Sequence, residues 1–399
     1  MPDITDFTLD PDRCLPEDGC AGTLVARVWV PGAGGGPTVS VVCDDGVFDI
    51  SAVAATVAGL FNEADPLAVV RGAPRDRRLG STADILANSV AYRQDTGRPW
   101  FLAPIDLQAV KAAGVTFASS MLERVVEEQA RGDKGRADDI RRALVVEIGT
   151  DVSQVRPGSD EAMRLKAALH ARGLWSQYLE VGIGPDVEVF TKCQPLASVG
   201  IGAEIGINPA SSWNNPEPEI VLAVSSSGTI LGAPLGNDVN LRDFEGRSAL
   251  LLSKAKDNTG SSAIGPFVRL FDETFNLDHV RNAEVDLRVE GTDRFVLTGT
   301  SSMRMISRDP ADIVGQTVGA THQYPDGFVL FLGTMFAPTE DRGEPGAGFT
   351  HRTGDRVSIS SPKLGTLVNR VNTCDRLPRW NFGTLALMGN LSSRGLLAT

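Results

Sequence analysis

Three segments decide the reading of this chain: W-N-N-P-E-P-E-I-V-L-A-V at Trp213–Val224, G-N-D-V-N-L-R-D-F-E-G at Gly236–Gly246, and K-D-N-T-G-S-S-A-I-G-P at Lys256–Pro266. Glu217 and Glu219 stand two apart around a single proline, at the mouth of an apolar run. Alternate side chains of a strand leave the same face, so if that run is a strand both carboxylates point to one side of a sheet. Asp238 can then complete a cup of three. Hard oxygen ligands with positions left for water or substrate suit Mg²⁺, with Mn²⁺ or Ca²⁺ as substitutes. An acidic trio alone is more often a set of surface carboxylates with nothing bound, and here the flanking words reverse that reading. They point to a metal ion that receives an oxo acid through one carboxylate oxygen and the ketone oxygen. Such an ion stabilises the enolate formed when the adjacent carbon loses a proton.

The blocks E-x-E, G-N-D-V-x-x-R-D and K followed by I-G-P, in this order and at this spacing, resemble the fumarylacetoacetate hydrolase superfamily. F-T-K at Phe190–Lys192, L-G-T at Leu332–Thr334 and G-T-L-V-N-R-V at Gly365–Val371 fit as well, so the resemblance spans roughly residues 107 to 395. The longer words N-N-P-E-P-E, L-G-N-D-V-N-L-R-D-F-E-G-R and H-Q-Y-P-D-G-F are similar to a bacterial branch that dehydrates 2-keto-3-deoxypentonates. The resemblance implies an α+β, β-rich fold, a mixed β-sandwich roll, with Glu217, Glu219 and Asp238 on Mg²⁺. It also implies a homodimer or homotetramer. Lys256, eight residues before the I-G-P, matches the family's active-site lysine. Lys192, Arg242, Glu245, Ser302, Thr334 and Ser119 are the expected substrate contacts, with Arg242 and Asp243 equally readable as a buried ion pair.

One departure bears on the reaction. At A-A-G-V-T-F-A-S-S-M-L-E-R, Ala112–Arg124, the carbon–carbon hydrolases of this superfamily carry G-x-N-Y-x-x-H-x-x-E, whose histidine and glutamate activate water. Gly114, Phe117 and Glu123 fit that pattern, but Ser120 stands in place of the histidine. The four histidines, His170, His279, His322 and His351, lie elsewhere, with His322 able to approach from a loop. Without an imidazole, elimination of water is favoured over hydrolysis, and Glu123, Lys256 and Ser120 are the candidate catalytic residues. The expected activity is conversion of 2-keto-3-deoxy-D-pentonate to 2-oxoglutarate semialdehyde. A 2,4-diketo acid hydrolase and a non-catalytic oxo-acid binder are the competing readings.

Length and composition agree. A chain of 399 residues, 42% hydrophobic, is long for one domain, and it divides into a small β-rich amino-terminal module with a connector, 1–106, and a catalytic domain, 107–399. Within the latter, 122–173 reads as a helical insert able to act as a lid, its charges at three- and four-residue spacing marking solvated faces. A net charge of −12 excludes nucleic acid and an anionic membrane as partners, leaving a small 2-oxo sugar acid. Five scattered cysteines without paired spacing read as reduced thiols of a cytoplasmic protein, and no apolar run reaches a membrane span.

Before the insert, Gly22–Val30 alternates as a strand, Pro37–Ser51 reads as a hairpin turning at Asp44–Gly46, a helix is expected from Ala52, and 64–105 reads as a poorly periodic connector. Short strands follow from Val187 onward, with a helix near Asp309–Gly319. The glycines at Val30–Pro37 and Gly200–Gly206 lack the helix a phosphate cradle needs.

Overall fold

The computed structural model describes residues 7–397, apart from 132, 134, 138, 141–154, 172–174, 337, 339 and 344–347. Most of the helical word read at Ala137–Ile148 falls outside the described residues.

Pro218–Val224 forms a strand that is buried along its whole length. Proline is tolerated at its first residue, where no ladder donor is needed. It pairs antiparallel with Ile230–Asp238, placing Pro218 opposite Asn237 and Glu219 opposite Gly236. Ser262–Leu270 adds to the far side of Ile230–Asp238, and Phe328–Phe331 to the other side of Pro218–Val224. Ala109–Gly114 then joins in parallel, and Glu188–Cys193 closes that edge. At the opposite end Leu24–Val30 pairs with Ser262–Leu270 through two residues and leads outward to Gly36–Cys43, Gly46–Asp49 and Arg78–Gly80, and Trp100–Phe101, pairing with Leu24–Val30, completes an eleven-stranded sheet. The amino-terminal strands thus continue the catalytic sheet.

A second, five-stranded sheet, ordered Val296–Ser302, Glu284–Glu290, Arg356–Ser361, Gly365–Thr373, Glu204–Ile207, packs on the centre of the first. Ile220, Leu222, Leu235 and Phe267 meet Leu287, Val289, Val357, Ile359 and Leu367 there. Side chains alternate, so Glu219 and Val221 leave the other face, where Val221, Ile264, Val329 and Phe331 form a separate cluster. This parity separates the acidic cup from the sandwich core. The helices Ala118–Ala130, Asp160–Ala171 and Gln177–Ile183 form a further cluster around Met121, Val125, Leu169, Leu179 and Trp213.

The expected hairpin is present, with Asp44 and Asp45 between its strands and Gly46 at φ +137°. The strands read from Gly22 and from Val187 onward and the helix Pro310–Thr317 are present too. Two readings change. Residues 64–105 hold the helices Pro66–Gly72 and Thr82–Asn88. Pro66 starts a helix instead of breaking one, because Asp65 caps it and a first-turn proline has no donor to lose. The helix expected from Ala52 begins only at Val57, where Thr56 accepts from the Gly59 amide. No helix among the described residues is long and apolar enough to cross a membrane, and all five cysteines are free.

Gly236 faces the same side as Glu219, and a Cβ there would meet Phe331 and Val221 at 2.4 and 2.5 Å. Gly236→Ala is expected to cost about 1–3 kcal/mol through overpacking. Gly315→Ala, in a helix with nothing within 4 Å, is expected to gain up to about 1 kcal/mol. Urea unfolding midpoints of the two variants should move in opposite directions.

Candidate metal centre and active site

Glu217, Glu219 and Asp238 each bring one carboxylate oxygen within 4.8 Å of the other two, and all three residues are buried. The hairpin register does this. The Asp238 amide donates to the Glu217 carbonyl at 3.0 Å, and Asn237 Oδ1 accepts from the Glu217 amide at 3.1 Å. Glu219 Oε2 accepts from the Gly333 amide at 2.6 Å. Gly333 sits at φ +86°, and a Cβ there would strike Thr116 Oγ1 at 2.1 Å, which explains the glycine of L-G-T.

Cations surround the cup unevenly. Lys256 Nζ lies 2.6 Å from Glu217 Oε2 and 3.0 Å from Asp238 Oδ2. Lys192 Nζ lies 2.8 Å from Asp238 Oδ1, but its hydrogen bonds go to the Val239 and Lys256 carbonyls and Ser261 Oγ. Asp238 Oδ1 is therefore close to a charge yet has no aligned donor, as suits a metal ligand. Burial opposes the charge of Asp238, but Lys192 and Lys256 outweigh it and hold that carboxyl below the ordinary range. Burial likewise opposes the ammonium of Lys256, and Asp238, Glu217 and Glu245 outweigh it, so Lys256 stays protonated. Glu219 has no ion-pair partner among the described residues, and Lys256 acts on it only from farther off. Burial, with Asp238 and Glu217 beside it, pushes its carboxyl well above the ordinary range. An acidic group forced to keep a proton among other carboxylates is what a divalent cation relieves.

The cup opens into a cavity lined by seven carboxyl groups, those of Glu123, Glu127, Glu188, Glu217, Glu219, Asp238 and Glu245, against the cations Arg124, Arg242 and Lys256. That imbalance, with Lys192 behind Asp238 as a further cation, leaves room for a dication. The residues present therefore fit a divalent cation, which Glu217, Glu219 and Asp238 would hold. The cavity volume is about 30 Å³, enough for an ion or a water molecule.

The helix Ala118–Ala130 closes the cavity with charges that the sequence reading had assigned to solvent. Arg124 Nη2 lies 2.5 Å from Glu217 Oε1, and its Nη1 is 2.7 Å from Glu127 Oε2 and 2.9 Å from Glu245 Oε2. Arg242 Nε lies 2.6 Å from Glu127 Oε1, its Nη2 is 3.1 Å from Glu123 Oε2, and its guanidinium covers the Trp213 ring at 4.4 Å. Asp243 instead accepts from Ser211 Oγ and the Ser212 amide, each at 2.8 Å, so the R-D pair is not an ion pair with itself.

The structure thus gathers Ser120, Glu123, Arg242, Glu245, Lys256 and Thr334 around the acidic trio. Three expected contacts lie off the cavity. Lys192 is sealed behind Asp238. Ser302 Oγ turns to Glu284 at 2.6 Å, because it ends an outer strand. Ser119 Oγ donates to the Met335 carbonyl at 3.1 Å, on the helix face opposite its neighbour. His322 sits in an exposed turn and does not approach.

Arg124, Glu127 and Glu188 are site residues that the sequence reading passed over. Glu188 begins the strand that carries Phe190 and Lys192, directly opposite Gly114, and a Cβ on Gly114 would fall 2.0 Å from Glu188 Oε2. The glycine makes space for that carboxyl. Glu188 has no hydrogen-bond or ion-pair partner among the described residues. Burial, with Glu245 nearby, raises it to about 7.

With this geometry in place, residues 212–372 match the model of the fumarylacetoacetate (FAA) hydrolase C-terminal domain. The chain carries a fumarylacetoacetate hydrolase family domain. Over 184 residues it is 30% identical to a 2-dehydro-3-deoxy-D-arabinonate dehydratase of Saccharolobus solfataricus, a match spanning 46% of this chain and 58% of that protein. Over 295 residues it is 25% identical to a probable 2-keto-3-deoxyxylonate dehydratase of Haloferax volcanii, covering 74% and 81% of the two chains. Among solved structures, a 2-keto-3-deoxyarabinonate dehydratase superposes with a TM-score of 0.60 at 20% identity over 89% of this chain and 100% of that one. The same enzyme complexed with magnesium and 2,5-dioxopentanoate gives 0.57. These likenesses establish the α+β fold as that of the fumarylacetoacetate hydrolase family.

In this family domain, Mg²⁺ binding should release a proton, because Glu219 must give one up on ligation. Calorimetric titrations in buffers of differing ionisation enthalpy should show proton release on binding, with weaker affinity and little release in Glu219→Gln.

Proposed function

We propose that the protein is a Mg²⁺-dependent dehydratase that removes water from a 2-keto-3-deoxy-D-pentonate, derived from D-xylonate or D-arabinonate, to give 2-oxoglutarate semialdehyde. One observation carries this reading: a three-carboxylate cup shares its cavity with an unpartnered carboxyl poised near neutrality, and no imidazole is among the lining residues. The names of the similar proteins, both dehydratases of 2-keto-3-deoxy sugar acids, support the same class.

A divalent ion in the cup would grip the oxo acid by its carboxylate and ketone oxygens and stabilise enolate charge. The remaining work falls to side chains. The base must be ionised near pH 7 and free to move a proton. Glu123 is tied to Arg242, and Lys256 is held protonated by Glu217 and Asp238, so the two groups expected to share the proton transfers are both engaged. Glu188 meets both conditions. It takes the proton from carbon 3, and the same carboxyl, now protonated, delivers it to the hydroxyl leaving carbon 4. A carbon–hydrogen and a carbon–oxygen bond break, a carbon–carbon double bond forms, and water departs. The unsaturated product then tautomerises to the aldehyde. Lys256 keeps positive charge beside the developing enolate. Ser120 Oγ donates to the Phe117 carbonyl at 2.9 Å and offers nothing that activates water for carbon–carbon hydrolysis.

A small 2-oxo sugar acid as partner, a cytoplasmic location and an assembly of two or four copies belong to the same proposal. The acidic charge and free thiols support the first two, and the exposed Trp380, Leu385 and Met388 support self-association.

Purified protein given the deoxy acid and Mg²⁺ should form an aldehyde that EDTA suppresses, followed by mass detection. Because Glu188 must be ionised, kcat/KM should fall as pH drops below about 7. Glu188→Gln should lower kcat by about 10²–10⁴-fold while Mg²⁺ affinity holds. Absence of semialdehyde from any of a panel of 2-keto-3-deoxy acids would refute the proposal.

A further inference from the structure

The Glu188 side chain, the base proposed above, has no hydrogen-bond or ion-pair partner among the described residues, so its place is set by its backbone. Its backbone is fixed on one side by pairing with Gly114. On the other side lies the turn after the helix Gln177–Ile183, and this turn is gripped by a single buried side chain. Arg308 is 6% exposed. Its Nη2 donates to the carbonyls of Gly184 at 2.6 Å and Val181 at 3.1 Å, and reaches that of Asp186 at 3.4 Å. Its Nη1 donates to the Pro185 carbonyl at 3.1 Å. No carboxylate pairs with it among the described residues, so its charge rests on carbonyl dipoles at a helix C-terminus. A planar fork can hold successive carbonyls in one geometry, which an ammonium cannot.

The surrounding contacts extend the grip. Gln316 Oε1 accepts from the Val187 amide at 2.9 Å, one residue before Glu188. The Ser307 amide and Oγ both donate to the Thr116 carbonyl at 2.8 Å, just ahead of the helix that closes the cavity. Residues 307–316 therefore tie the closing helix and the Glu188 turn to one another from outside the cavity.

We propose that Arg308 is a positioning residue: its guanidinium sets the turn that delivers the Glu188 carboxyl to the cavity. The inference rests on the reading of Glu188 above. Arg308 does not line the cavity, so it acts only through the backbone.

The test compares Arg308→Met, Arg308→Lys and Gln316→Ala with Glu188→Gln, reading kcat, KM, the pH profile and Mg²⁺ affinity on folded protein. Displacing a catalytic group by about 1 Å can cost about 100-fold. Arg308→Met is expected to lower kcat about 10- to 100-fold with KM and Mg²⁺ affinity within about twofold. The acidic limb should shift down as the carboxyl moves toward solvent, away from Glu217, Glu245, Arg124, Lys256 and Tyr178, the charged and titratable groups that face it. Arg308→Lys should recover part of the loss. Should Arg308→Met fail to fold, Gln316→Ala carries the test, with a smaller kcat loss of about 3- to 10-fold expected. Unchanged kcat and pH profile in the folded variants, with Glu188→Gln inactive, overturn the positioning role alone. Full activity of Glu188→Gln overturns the reading beneath it.

Discussion

Three carboxylates held within 4.8 Å of one another in a buried place are the constraint on which this architecture turns. Mutual repulsion and loss of water both act against such a cluster. Among the described residues the structure answers asymmetrically, with two lysines at Asp238, a lysine and an arginine at Glu217, and a backbone amide at Glu219. The least compensated carboxylate is the one with most to gain from a divalent ion.

The compensating charges also organise the lid. Glu127 receives both Arg124 and Arg242, and although burial opposes its charge, those two arginines keep it ionised. One buried carboxylate thereby ties the closing helix to the loop after Asp238. Arg124 extends the tie to Glu217 itself. The helix that covers the cavity is thus electrostatically continuous with the cup.

The sheet carries the carboxylates of the cup and one helix carries the charges that cover it. Glu217, Glu219 and Asp238 sit on or beside strands paired on both sides and Glu188 on the edge strand paired with Ala109–Gly114, whereas Glu123, Arg124 and Glu127 ride on one helix. Groups that must stay in ångström-level relation are on the strands.

The acidic cup was legible in the residues, because a two-residue period maps Glu217 and Glu219 to one face whatever surrounds them, and because the words around Asp238 and Lys256 are long. The strands from Val187 onward were legible for the same reason of short-range periodicity. Residues 64–105 were not, since the meaning of Pro66 depends on whether Asp65 caps a helix there. The inward turn of Arg124 and Glu127 was hidden as well: their spacing is that of any solvated helix face, and Arg242 and Glu217 on other segments give that face its buried partners. Glu188 and Gly114 are 74 positions apart and acquire meaning only when adjacent strands set a missing side chain against a carboxyl. The sequence alone determined the ligand chemistry, through local period and residue type. Tertiary structure decided which charges are buried together, because burial and Coulomb energy depend on distances that no local pattern contains.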